Sequence, residues 1–331
     1  MIISGAPVRI TLGGGGADLA SYYSKYGGFL IAAAIDKYVF ISVNKRFYDS
    51  TRLSYSQTEI VNDVSEIKHQ IFRETLNLLG LNGGLELVSV SDVPANCGLG
   101  TSSSFTVSLL NALHAYKREF VGQRQIADEA CHVEIDLLGE PIGKQDQYIA
   151  AFGGITCLTF DKDGEVYVEP LKISDEVMDQ LESNILLFYT GRERSASEIL
   201  SDQNERSKSD DPAMIQNLHR IKEIGLETRR VLERGRVDDL GELLHIHWET
   251  KKRRSQGISD PFIDECYELA RKNGAMGGKI MGAGGGGFFM FYANNNDKPR
   301  LSQAMKRMGF RQERFKFDFE GVKTLVNMKR L

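Results

Sequence analysis

The chain has 331 residues, 41% of them hydrophobic, and its 41 lysines and arginines face 45 aspartates and glutamates, for a formal charge of −4. That length exceeds the size at which single cores stop growing, so two domains are expected, and the slightly acidic balance excludes the broad basic face of a nucleic-acid binder. No segment approaches the uninterrupted apolar length of a membrane span, and "MIISGAPVRI" lacks the pattern of an export leader, so the expectation is a cytoplasmic protein with a small-molecule partner.

In chain order, "FLIAAAIDKYVFISV", Phe29 to Val43, is dense in apolar and β-branched residues and predicts two neighbouring strands or one long bent strand. A short strand is expected over Leu85 to Val90. There follows "PANCGLGTSSSF", Pro94 to Phe105, and then Phe105, Leu109, Ala112, Leu113 and Tyr116, which share one face of a helix. The glycine and hydroxyl stretch thus joins a strand to a helix N-terminus. Such a terminus exposes unpaired N–H groups and partial positive charge, and bare glycine backbone lets a phosphate approach it. Taken alone, Ser102, Ser103 and Ser104 could equally cap the helix while the glycines turn the chain.

A second helix is expected over Gln125 to Leu138, with Ile126, Ala130, Val133 and Leu137 on one face and Gly139 and Pro141 as the stop. The polar run Ser201 to Asp211 is expected as a surface loop, and Asn217 to Leu244 as a long charged helical stretch. A further helix is capped by Ser259 or Asp260 and ended by Gly274, and "GGKIMGAGGGGFFMFY" predicts two strands flanking a glycine turn. Early strands mixed with helices, then a helix-rich half ending in strands, indicate the α+β class.

Neither GxxxxGK[ST] nor a strand-to-helix GxGxxG is present, so the P-loop and dinucleotide-binding units are unsupported. The four cysteines, Cys97, Cys131, Cys157 and Cys266, form no CxxC pair and read as reduced thiols. His245 and His247 stand two apart, on different helix faces, which argues against a zinc pair. "KKRR", Lys251 to Arg254, is expected to be a solvated charge run.

Glycines cluster three times, at Gly13 to Gly16, Gly98 with Gly100, and Gly282 with Gly284 to Gly287. "PANCGLGTSSSF" resembles the second motif of the GHMP kinases, usually PxxxGLGSSAA, with departures at Thr101 and Ser103. "APVRITLGGGGADL", Ala6 to Leu19, resembles the first motif and "KIMGAGGGGFFMF", Lys279 to Phe291, the third, in the family's order. The resemblance implies an N-terminal domain like ribosomal protein S5 domain 2, expected over residues 1–180, and a C-terminal ferredoxin-like domain over 181–331. It also implies a cleft between them that holds ATP and Mg²⁺.

By motif position, the resemblance assigns ATP to Pro94, Gly98, Leu99, Gly100, Thr101, Ser102 and Ser103, and the metal to Ser102 and Glu134. It makes Asp146 the catalytic aspartate, in "GKQDQ", with Arg9 beside the reacting hydroxyl, able to lower its pKa and keep Asp146 ionised. Asp18 falls at the family's sugar-binding aspartate, with Gly15, Gly16, Lys144, Gly284 and Gly285 expected near substrate.

Galactokinases carry Glu-His where this chain has Gly15 and Gly16, a loss that removes galactose readers and opens space. "GGGGADL", "GEPIGKQDQYIAAFGGI" and "LLFYTGRERSASEIL" resemble the heptose-phosphate kinases, which convert D-glycero-D-manno-heptose 7-phosphate to the 1,7-bisphosphate. A phosphorylated acceptor calls for cations at the far end of the pocket, for which Arg192 and Arg194 are candidates. Ala17 stands where that subgroup has Thr, which leaves fucose or another heptose open as acceptor. A non-catalytic sugar sensor and a GHMP kinase for a non-sugar alcohol are the remaining alternatives.

Overall fold

The computed structural model of the chain describes residues 1–192 and 197–328. The apolar N-terminal segment forms β1 (Ile2–Gly13) and β2 (Gly28–Lys45), joined through α1 (Ala20–Tyr26). The stretch expected as two strands or one is a single strand of 18 residues. Then come β3 (Thr51–Ser54), β4 (Thr58–Val61), α2 (Gln70–Leu78), β5 (Leu85–Ser91), α3 (Thr101–Lys117), α4 (Gln123–Cys131) and α5 (Gln145–Phe152). They are followed by β6 (Ile155–Phe160), β7 (Val166–Pro170), α6 (Asp175–Asn184) and β8 (Ile185–Tyr189). The helix-rich part comprises α7 (Ser197–Lys208), α8 (Pro212–Glu233), α9 (Asp239–Lys252) and α10 (Pro261–Lys272). The chain then forms β9 (Ala275–Ile280), β10 (Phe288–Ala293), α11 (Lys298–Arg307), β11 (Arg311–Glu313) and β12 (Lys323–Asn327).

Among the described residues there are two sheets. The larger runs β12-β1-β2-β5-β3-β4, with β6 and β7 branching from β2. The length of β2 explains the branch: Gly28 to Ala33 pair with β6, and Val39 to Lys45 pair with β5. Helices α3, α5 and α8 pack on β1 and β2. The smaller antiparallel sheet runs β11-β8-β10-β9, covered by α9 and α10. The α+β class is as expected. The division expected between 180 and 181 falls inside α6, and β12 crosses back to pair with β1.

All six residues of β10 are buried. Alternation sends Phe288, Met290 and Tyr292 into the large core built on the first sheet, and Phe289 and Phe291 into a second core with Trp248 and Tyr267. The two sheets are therefore locked through one strand.

Three expectations need correction. The second helix begins at Gln123 and passes into a π-helical turn, His132–Leu137; the wider turn rotates the face, so Glu134 is buried while Leu137 is exposed. The run Ser201 to Asp211 is helical through Lys208, with Gln203 and Ser207 turned inward. Asn217 to Leu244 is two helices, broken after Glu233 where the chain turns through Gly235 at φ +73°, with apolar periodicity continuing in both arms.

Candidate active site

A cavity of about 730 Å³ opens where the loop before α3 meets the β9–β10 turn, and all three glycine motifs reach it. The loop before α3 is fixed by main-chain bonds: the Arg9 N–H donates to the Leu99 carbonyl at 2.9 Å and the Phe288 N–H to that of Cys97 at 3.1 Å. Gly98 has φ +83°, and a Cβ there would fall 2.6 Å from the Met281 carbonyl oxygen. Only a glycine fits both the backbone and the space.

Helix α3 starts at Thr101 with Gly100 as its N-cap and no side-chain cap. The hydroxyl residues therefore do not cap it. Thr101 donates to the Pro94 carbonyl, Ser104 to that of Pro7, and Ser102 to Glu134 Oε1 at 2.8 Å. Among the described residues, no side chain caps the first-turn N–H groups of α3, the condition under which a helix end binds an anion.

Arg9, on β1, grips Asp146, on the first turn of α5, through two bonds: Nε to Oδ1 and Nη2 to Oδ2, each 2.7 Å. Its third nitrogen donates to the Gly98 carbonyl at 2.7 Å, which ties the pair to the glycine loop. Glu134 comes from the π-helical turn and also accepts from Gln147 Nε2 at 2.7 Å. Burial pushes its pKa up to about 7, against the opposing hydrogen bonds of Ser102, Ser103 and Gln147.

Asp18 is buried beside this group and accepts N–H bonds from Gly16 and Gln145. Burial, then the nearby charge of Asp146, raises its pKa. Gly15, Gly16, Thr11 and Gln145 line the same part of the cavity, with Thr11 donating to Gln145 at 2.8 Å.

Arg9, Asp18, Gly15, Gly16, Gly98, Gly100, Thr101, Ser102, Ser103, Glu134 and Asp146 thus converge on one cavity. Several expected residues do not line it. Pro94 and Leu99 serve through carbonyls inside the loop. Lys144 turns away to the Gly164 carbonyl at 2.8 Å, held over the Tyr23 ring. Arg192 is half-exposed, paired with Asp260 at 3.1 Å and stacked on Phe262. Gly284 and Gly285 pack on Ile258, outside the lining. Arg194 lies outside the described residues.

Among the lining residues that sequence reasoning missed are His247, Lys251, Arg254 and Lys279. The run "KKRR" is not uniformly solvated. His247 and Lys251 stand four apart on one face of α9, and the tight turn that ends the helix, with the Arg254 N–H donating to the Lys251 carbonyl at 3.0 Å, brings Arg254 to the same cavity, while Lys252 points out to Glu249 and Asp264. That spacing was the available signal. Burial lowers the pKa of Lys251, Lys279 and His247 well below their ordinary values, with neighbouring cations adding to the effect.

Glu134 also meets the demand of a hard divalent cation. It is a buried carboxylate with no cationic side chain on its oxygens among the described residues, adjoining the Ser102 hydroxyl at the edge of the helix end. One carboxylate and one hydroxyl suffice where phosphates and water complete the shell.

The chain matches the models "GHMP kinases N terminal domain" over residues 63–154 and "GHMP kinases C terminal" over 228–310. It is 32% identical to the D-glycero-alpha-D-manno-heptose 7-phosphate kinase of Campylobacter jejuni, with 96% of this chain and 97% of that protein covered. It is 28% identical to the mevalonate kinase of Methanothermobacter thermautotrophicus, over 84% of this chain and 86% of that one. A solved D-glycero-D-manno-heptose 1-phosphate kinase from Bacteroides thetaiotaomicron superposes with a TM-score of 0.81 at 26% identity, covering 99% of this chain and 100% of that one. With both halves matched in order and a near-full-length relative of this similarity, the chain is a kinase that belongs to the GHMP family.

Proposed function

We propose that this chain is an ATP- and Mg²⁺-dependent kinase that phosphorylates the anomeric hydroxyl of a phosphosugar, with D-glycero-D-manno-heptose 7-phosphate as the first candidate acceptor. The observation that carries the proposal is the Asp146–Arg9 pair, tied to Gly98 and facing the same cavity as the uncapped end of α3. Similarity to heptose-phosphate kinases in sequence and fold supports the acceptor.

In this proposal the triphosphate lies on the N–H groups of Gly98 to Ser103, and the apolar end of the cavity, with His69 stacked on Phe105, receives the base. The acceptor hydroxyl meets Asp146. As the sugar oxygen bonds to the γ-phosphorus and the bond to the β-phosphate oxygen breaks, the hydroxyl proton passes to the Asp146 carboxylate and ADP leaves. Arg9 holds that carboxylate in one orientation through its fork. Mg²⁺, held by Ser102 and Glu134, supplies charge neutralisation for the phosphates. Asp18, Thr11 and Gln145 bind the sugar. Ala17 is fully buried and outside the lining, so its departure from the heptose-kinase pattern acts only through the packing of the sugar loop.

ADP release with Mg²⁺ATP and a panel of D-glycero-D-manno-heptose 7-phosphate, fucose and mevalonate tests the proposal. Release is expected with the phosphosugar. Release with mevalonate alone, or ligand-induced stabilisation without release, would reject it.

A further inference from the structure

We propose that Lys251, Arg254 and Lys279 form the subsite that grips the phosphate already carried by the acceptor, so that the enzyme selects a phosphorylated sugar over the same sugar without phosphate. This rests on the kinase activity proposed above and moves the phosphate-binding role from Arg192 and Arg194 to a buried cluster.

All three side chains are more than nine-tenths buried and line the cavity. Among the described residues, none has a carboxylate within ion-pair distance. Lys251 donates to the Ile280 carbonyl at 3.0 Å and to that of Gly282 at 2.5 Å. Lys279 meets Nδ1 of His247 at 3.0 Å. Arg254 donates to Asn217 Oδ1 at 3.1 Å, and at 3.4 Å each to Gln203 Oε1 and the Gly15 carbonyl. Every one of these partners is neutral, and each cation keeps N–H donors unused.

As an ammonium, Lys279 can only donate, and His247 Nδ1 then accepts with its ring hydrogen on Nε2. Gathering like charges out of water is costly unless an anion completes the set. The ligand missing from this wall is an anion with several acceptor oxygens, which a phosphate supplies and a sugar hydroxyl does not.

Placement assigns the cluster to the acceptor. Gly16, at φ +106°, leaves the volume that Arg254 fills: a Cβ on it would lie 2.2 Å from Nη1. The space opened in the sugar loop is therefore occupied by a guanidinium. Arg254 also donates to the Gly15 carbonyl of the sugar loop, and Lys251 holds the carbonyls of Ile280 and Gly282, so the cluster forms the cavity wall beside the sugar loop and the β9–β10 turn. Among the described residues, Glu134, the carboxylate that binds Mg²⁺ in the proposed mechanism, bonds to Ser102 and Gln147 and to none of the three cations.

The test is titration calorimetry with Mg²⁺ and a non-hydrolysable ATP analogue, comparing D-glycero-D-manno-heptose 7-phosphate with the unphosphorylated heptose. Wild type is expected to favour the phosphosugar by about 100-fold, and Arg254→Gln, Lys251→Gln and Lys279→Met each to cut that ratio about tenfold or more, with Arg254→Lys restoring part of it. Affinity for the ATP analogue and the melting curve show which variants are folded, and any one folded variant decides the matter. An unchanged ratio in a folded variant, or no preference in wild type, overturns the subsite. Mevalonate bound as tightly as the phosphosugar does so too. If ADP release fails with every acceptor, the kinase activity falls, while the binding ratio still judges the subsite.

Discussion

At Asp146, two hydrogen bonds from one guanidinium fix the carboxylate plane, and replacing a single oxygen separates chemistry from binding. Asp146→Asn is expected to lower turnover by about 10²- to 10⁴-fold while an ATP analogue binds as before; steady-state kinetics beside calorimetry would show it. Glu134→Gln has a different signature. It is expected to raise the Mg²⁺ concentration needed for half-maximal rate, with little change in acceptor affinity, because the amide offers a weaker oxygen to the cation. A magnesium titration of the rate checks this. Asp146, Glu134 and Ser102 were legible in the sequence because the motifs preserve order and spacing. Lys251 and Arg254 were hidden because a contiguous charge run looks solvated until the end of α9 and the turn after it bury the first and fourth members and leave the middle two outside.

Among the elements, α3 carries two devices at its ends. At its start, Gly98→Ala would place a Cβ against the Met281 carbonyl in a left-handed backbone, with an expected loss of about 1–3 kcal/mol or more and weaker binding of an ATP analogue. Thermal melts with and without the analogue measure both effects. Toward its end, His114 sits between Glu129 at 2.6 Å and Glu119 at 2.7 Å. Burial opposes charge on the ring, but the bonds to Glu129 and Glu119 outweigh it and the pKa is raised. A group raised on folding contributes stability that is full below its ordinary pKa and fades as pH climbs through the higher folded value. The melting temperature of His114→Gln is therefore expected to fall furthest below wild type near pH 6, with the gap closing toward alkaline pH. Strands β2, β5, β9 and β10 and helices α3, α4 and α10 were legible from their apolar patterns, whereas the remaining, mostly shorter elements were not. The π-helical turn was not, since apolar spacing does not report an extra residue per turn, and the α8–α9 break was masked by apolar positions continuing on both sides.

At the scale of the whole molecule, β10 feeds two cores and β12 returns to the first sheet, so the parts are expected to unfold together. Trp248, the only tryptophan, lies in the second core, whereas far-ultraviolet dichroism reports both sheets. Coincident denaturant curves from the two probes are expected; separated midpoints would show independent domains. The sequence motifs located the cleft but not this interlock, because which face of a wholly apolar strand meets which core is decided by packing partners distant in the chain.

The joint between the loop before α3 and the β10 strand, main chain on main chain at Cys97 and Phe288, has one more consequence. Cys97 adjoins the glycine loop that Arg9 and Asp146 hold, and Phe288 follows the turn whose Gly282 carbonyl Lys251 holds, so the joint sets the spacing between the proposed nucleotide loop and the wall proposed for the acceptor's phosphate. Substitutions on the hidden face of β10, remote from every ligand, should behave as kinetic defects of alignment.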